Sequence, residues 1–390
     1  MQNDELTIEL EEQQLLWDYL KKADKPIVLY GTGDGADKIL AVMEQYELTP
    51  ACFTRSEVFG RFEKNPTFRN YKVLPFDEIE RKYSDFIVLI CFGSDSPEVL
   101  EQLYNISERY EVFAPDVPVT GWGISFKDLI YDFDYIERNK DKIEKTRKLL
   151  ADEKSREVFD GWLAYRVSGN PHILEKIATP RKDILSLLKL KDNEFFIDAG
   201  AFKGDTVEEF LQLVGQKSEM VEPKFKKIIA IEPDIRNYTV LRRKFYAYGK
   251  GIFIPVNAAA WSEDKKITFT AKTGRAGTVR HDVLCVSHRK QVEIEGVKID
   301  TLCKINAGQP TLDEKPTLIK IDVEGAEAEV IKGAKSVITK YRPKMIVSLY
   351  HRAEDMFELP LLIYSLCPRY RFYLRKTRCL PGWEFELILI

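Results

Sequence analysis

Residues 194–206 read EFFIDAGAFKGDT. The apolar run Phe195–Ile197 stops at Asp198, Gly200 and Gly204, and an amphipathic helical pattern follows. That order is a strand, a glycine-rich turn and a helix. Working outward, four more short apolar runs share the same form: IIAIEPD at 228–234, IFIPVNAAAW at 252–261, TLIKIDVEG at 317–325 and KMIVSLYH at 344–351. Unbroken apolar runs suit strands buried on both faces, hence a mostly parallel sheet beneath helices. Between the third and fourth runs, KITFTA (266–271) and VEIEGVKIDTL (292–302) alternate, which predicts a small antiparallel insertion across 262–300. RFYLRK (371–376) and EFELILI (384–390) predict a closing hairpin.

In such a sheet, chemistry collects at the carboxyl ends of the strands. Each of the five runs ends in a group able to do something. At the first, Gly200 allows a tight turn and close approach of a ligand to the main chain. Phe202, Gly204, Asp205 and Thr206 lead into a helix whose first N–H groups suit a carboxylate. S-adenosylmethionine carries a carboxylate beside a cationic amine, so the turn would hold one and Asp198 face the other. The same residues also fit a tight turn with no ligand. At the second run, Glu232, followed by Pro233, can accept two hydrogen bonds from a ribose diol; otherwise it is a surface acid. At the third, Ala258 and Ala259 leave room for an adenine ring, or simply pack closely. The fourth and fifth runs bring Asp322, Glu324 and His351 toward the first. General acid–base work needs such groups. His351 is the favoured base because an imidazole titrates near neutrality. Asp322 is the second candidate, and Glu324 orients the acceptor. Asp322 and Glu324 are also candidate oxygen ligands for a divalent metal.

FIDAGAFKGDT, IEPD, IKIDVEGAEAEVIKGA and SLYHR together resemble the FkbM family of methyltransferases over about residues 190–390. KIDVEGAE is the specific part. The resemblance implies a class I Rossmann-like fold with a closing antiparallel strand and S-adenosylmethionine as donor. It implies O-methylation of a sugar, glycan or natural-product hydroxyl, so a small-molecule or carbohydrate acceptor. By motif position it puts Asp198, Gly200 and Glu232 at the donor, Asp322, Glu324 and Glu327 on the acidic strand-four motif, and His351 on the strand-five motif. Phe202 departs from the common methyltransferase turn, which has a glycine there.

The amino-terminal part adds a second glycine turn. PIVLYGTGDGADKILAVMEQY (26–46) is again strand, turn and helix, and Gly31-Thr-Gly33-Asp-Gly35-Ala36 fits G-x-G-x-x-G/A after a strand and before a helix. Strands are expected at Ala51–Phe53 and Phe86–Cys91, with a helix at Phe76–Lys82. The acid expected at the next strand tip is displaced to Glu57, and Arg55 stands nearer. This turn raises an alternative: an NAD(P)-dependent nucleotide-sugar oxidoreductase or epimerase, or a non-catalytic nucleotide-binding protein. A helix is expected at 5–22, a proline- and glycine-rich linker at 115–124, and helices across 128–190. The organisation is therefore a Rossmann-like unit at 1–120, a helical connector at 121–190 and the methyltransferase domain at 191–390.

The chain of 390 residues has a formal net charge of −3, which argues against a general nucleic-acid binder. It has no apolar run long enough for a membrane span and no basic, apolar leader. The six cysteines form no CxxC pair, which suits reduced thiols and a cytoplasmic protein. A homo-oligomer is compatible with all of this.

Overall fold

A computed structural model describes residues 13–55, 66–117, 131–216, 222–249, 251–270, 278–279, 291–303 and 315–390. The first part of the expected helix 5–22, most of the linker and Glu57 lie outside these residues. The remainder of that helix is Leu16–Lys22.

The amino-terminal unit is a four-stranded parallel sheet of β1 (Ile27–Tyr30), β2 (Cys52–Thr54), β3 (Ile87–Ile90) and β4 (Glu111–Phe113), in the order β2-β1-β3-β4. The central strands β1 and β3 are buried throughout, as two-sided burial requires of apolar runs. The helix Phe76–Lys82 falls where its pattern places it. Strand β4 is an addition to the expected set.

The carboxyl-terminal sheet has seven strands: β5 (Glu194–Ala199), β6 (Phe225–Ile231), β7 (Phe253–Val256), β8 (Leu318–Ile321), β9 (Lys344–Ser348), β10 (Phe372–Lys376) and β11 (Phe385–Leu389). Their order is β10-β11-β9-β8-β5-β6-β7. All run parallel except β11, which is antiparallel to both neighbours. The closing hairpin forms as expected, with its second strand inserted between β9 and β10. The insertion is also present: Lys265–Thr270 pairs antiparallel with Gln291–Val297, and Ala259–Ala260 pairs parallel with Gly296–Val297.

Register sets the site. Val256, Ile231, Ala199, Ile321 and Val347 lie level across β7, β6, β5, β8 and β9. One residue further along, the same edge carries Asn257, Glu232, Gly200, Asp322 and Ser348.

The connector is not a tether. Its helices are Phe133–Arg138, Lys140–Leu149, Glu153–Ser168, Pro171–Ile177 and Arg181–Ser186. Asp152 caps the third by accepting from Ser155 N at 2.9 Å, and Gly169 ends it in the left-handed region. Twelve of its 16 residues are buried, the mark of a helix surrounded by protein. Trp162 stacks on Phe385 of β11 at 3.9 Å. Tyr165 Oη donates to Ala114 O at 2.8 Å and accepts from Gly382 N at 2.9 Å. One hydrophobic cluster therefore runs from Val28 through Trp162 to Ile197 and Leu389.

Candidate functional site

The glycine turn after β5 alternates left-handed residues: Gly200 at φ +87°, Phe202 at +46° and Gly204 at +89°. A Cβ on Gly200 would lie 1.8 Å from Asp322 O, so only glycine lets the ends of β5 and β8 touch. Phe202 holds a conformation that ordinarily costs a side-chain-bearing residue about 1–2 kcal/mol, and its N–H donates to Glu232 Oε2 at 2.9 Å. Glu232 Oε1 accepts from Asp234 N at 2.9 Å. Glu232 is thus a staple between the turn and the end of β6. Asn257 Nδ2 completes the corner by donating to Glu232 O and Pro233 O at 2.9 and 3.1 Å. Burial pushes the Glu232 carboxyl up to about 7, against the pull of the two backbone N–H groups. The Asn237 side chain also bonds this carboxylate, and its four acceptor lobes are not all used. Asp205 and Thr206 open the helix Asp205–Leu213, whose amino terminus no side chain caps.

Ala258 and Ala259 are buried. Ala259 lies in the short strand against Gly296 and packs with Trp261, Ile267 and Ala326. Ala259 is closely packed there.

Deeper in the sheet, Lys320 of β8 is a buried cation. Its Nζ lies 3.7 Å from Asp198 Oδ1 and 3.4 Å from Asp322 Oδ2, and donates to Gly200 O at 3.5 Å. Asp198 is wholly buried; burial pushes its carboxyl up to about 6 despite Lys320. Burial opposes charge on Asp322 too, but Lys320 and His351 together hold it below the usual range.

His351 sits beyond β9, fully buried among acids. Nδ1 is 2.9 Å from Glu327 Oε1; Nε2 is 3.5 Å from Asp322 Oδ1 and 3.7 Å from Glu324 Oε2. Burial works against the imidazolium, yet Glu327, Glu324 and Asp322 outweigh it and push the pKa up to about 10. That direction runs against the near-neutral imidazole expected of this position. The loop that brings the acids here is left-handed at Glu324 (φ +57°) and Gly325 (φ +95°). Glu327 Oε1 ties it by accepting from Val323 N and Gly325 N at 2.9 and 3.3 Å. Arg352 Nε donates to Gly325 O at 2.7 Å.

The structure thus gathers Asp198, Gly200, Phe202, Glu232, Asp322, Glu324 and His351 at one sheet edge. Glu327, which the resemblance puts on the strand-four motif, lies with them; Lys320 and Asn257 belong there too and were not singled out as site residues. Lys320 had a usable signal: a lysine inside a two-sided buried run must find a carboxylate.

At the amino-terminal turn, a Cβ on Gly35 would lie 2.2 Å from Cys91 O. That glycine lets the helix Asp34–Gln45 pack against the end of β3, a structural reason for its place.

Residues 198–376 match the family model of the methyltransferase FkbM domain. Comparison with curated proteins gives no match. Among solved structures, a methyltransferase FkbM from Methylobacillus flagellatus KT is similar over 100% of this chain and 99% of its own, at 18% identity and a TM-score of 0.70. An rRNA methylase from Streptococcus thermophilus covers 53% of this chain and 90% of its own, at 12% identity and a TM-score of 0.30. A SAM dependent methyltransferase from Aquifex aeolicus covers 56% and 97%, at 13% and 0.28. The last two overlap too weakly to carry an argument. The oxidoreductase alternative draws no support from these matches. The carboxyl-terminal part of this chain accordingly carries a match to the FkbM methyltransferase domain over residues 198–376, on a class I Rossmann-like fold preceded by a smaller Rossmann-like unit.

Proposed function

We propose that the protein transfers a methyl group from S-adenosylmethionine to a hydroxyl of a sugar, glycan or other small natural product. The observation that carries this reading is the level row of Asn257, Glu232, Gly200, Asp322 and Ser348 at the sheet edge. Its donor half fits the group. The uncapped helix start at Asp205 and Thr206 suits the carboxylate of the amino-acid end. Glu232 has acceptor capacity left for the ribose diol. When bound, S-adenosylmethionine supplies a methyl group activated by a sulfonium.

The acceptor half is Asp322 and Glu324, whose side chains are partly exposed at 27% and 20%. They would hold the acceptor hydroxyl in line, and orientation is a large share of such catalysis. An attacked hydroxyl becomes an oxonium, which is strongly acidic, so even a carboxylate held below the usual range can take its proton. His351 then serves as a positioning residue for the two acids, its Nε2 lying 3.5 and 3.7 Å from them.

The test is calorimetric titration with S-adenosylhomocysteine, followed by a methyl-transfer screen over sugars, nucleotide sugars and polyketides. Binding should be lost by at least about tenfold in Glu232→Ala, since charge-assisted hydrogen bonds are each worth about 1.5–3 kcal/mol. Thermal melts check that the variant is folded. Unchanged affinity removes Glu232 from the donor site; no binding by the intact chain ends the reading.

A further inference from the structure

The acids around His351 exceed the cations that face them. Asp198, Asp322, Glu324 and Glu327 share two, Lys320 and His351. Glu327 is 1% exposed, and its Oε2 is buried without a hydrogen-bond partner. A buried carboxylate oxygen left so is costly, and this one belongs to the same residue whose other oxygen braces the loop. One ligand atom each from Asp322, Glu327 and His351 lie within 4.8 Å of one another. Ligands of these types sit about 2.0–2.2 Å from a first-row divalent ion, so small side-chain shifts close the three around one. Nε2 is 3.5 and 3.7 Å from Asp322 and Glu324, too far for hydrogen bonds and close to the edge lengths of a coordination shell.

We propose that Asp322, Glu327 and His351 form a binding site for a first-row divalent cation, the ion displacing a proton from the imidazole as it binds, with Glu324 beside it. One imidazole with two carboxylates suits an ion such as Mn²⁺ better than an all-oxygen cage for Ca²⁺. The partly exposed Asp322 gives the ion an entry side and leaves a position for an outside oxygen. The ion's role at the acceptor rests on the methyltransferase reading; its binding does not.

The experiment titrates the full chain with MnCl₂ and follows the free-ion signal by electron paramagnetic resonance, with an S-adenosylhomocysteine titration in parallel. One saturable ion per chain is expected, with affinity at least about tenfold weaker in Asp322→Asn and in Glu327→Gln. Melting curves accompany both, and if Glu327→Gln does not fold, Asp322→Asn decides. No saturable uptake, or uptake unchanged in Asp322→Asn, overturns the site. Uptake without S-adenosylhomocysteine binding supports the ion and defeats the methyltransferase reading; the converse defeats the ion alone.

Discussion

At the residue scale, the site is a set of carboxyls whose burial and neighbours pull in opposite directions. Glu232 is the clearest. Its folded pKa of about 7 lies above the ordinary 4.5. A carboxyl raised on folding stabilises the fold in its protonated form; that contribution is full below about 4.5 and is lost as pH rises through about 7. Asp198, raised from 3.8 to about 6, acts in the same sense over a lower window. The unliganded protein should therefore lose stability between pH 5 and pH 8, and Glu232→Gln should lose less. Melting temperatures of both proteins across that range check it; parallel curves would mean Glu232 titrates normally. His351 works in the opposite pH region. It is raised, so its contribution persists at neutral pH and goes as pH passes about 10. The motif residues were legible in the sequence because each terminates an apolar run. Their protonation states were not, since these depend on Lys320, Glu327 and Glu324 arriving from other strands and loops.

At the element scale, Glu153–Ser168 changes the picture most. In sequence it is a helix with dense charge, and its surroundings suggest a connector. In space it is a spine, with Arg147 paired to Asp160 at 2.7 Å and Arg166 stacked over Tyr131 and Trp162. Charged residues that look solvated turn out to be partnered, and periodicity alone cannot separate the two. Trp162→Ala would open a cavity against Phe385 and should destabilise the protein by about 3–5 kcal/mol, measured by denaturant unfolding. A loss within experimental error would mean that the stacked pair contributes no packing. The alanines after β7 teach the same lesson. Small residues mark close approach, but only the insertion strand at Gly296 says what approaches.

At the scale of the whole molecule, contacts cross the proposed boundaries at 120 and 190. The shared cluster from Val28 to Leu389, the bridge between Ser94 and Leu380, and Trp383 seated where a Cβ on Gly93 would be all cross them. A chain of residues 191–390 alone would expose Phe385 and the face that Trp162 covers. It should lack a cooperative melting transition, whereas the full chain should melt in one. Calorimetry on both decides this, and a separate sharp transition for 191–390 would restore the domain as autonomous.

What the sequence by itself determined was local. Each strand, each glycine turn and each polar strand end follows from periodicity, from glycine's access to positive φ and from two-sided burial. Those forces act within a few residues of one another, so they can be read along the chain. The tertiary structure alone decided which ends became neighbours, and hence which charges share a site. Electrostatic energy depends on distance through space and on burial, not on sequence separation. Asp322 and His351 are a pair only because β8 and β9 lie side by side, and the imidazole is pushed toward its charged form only because Glu327 folds back against it.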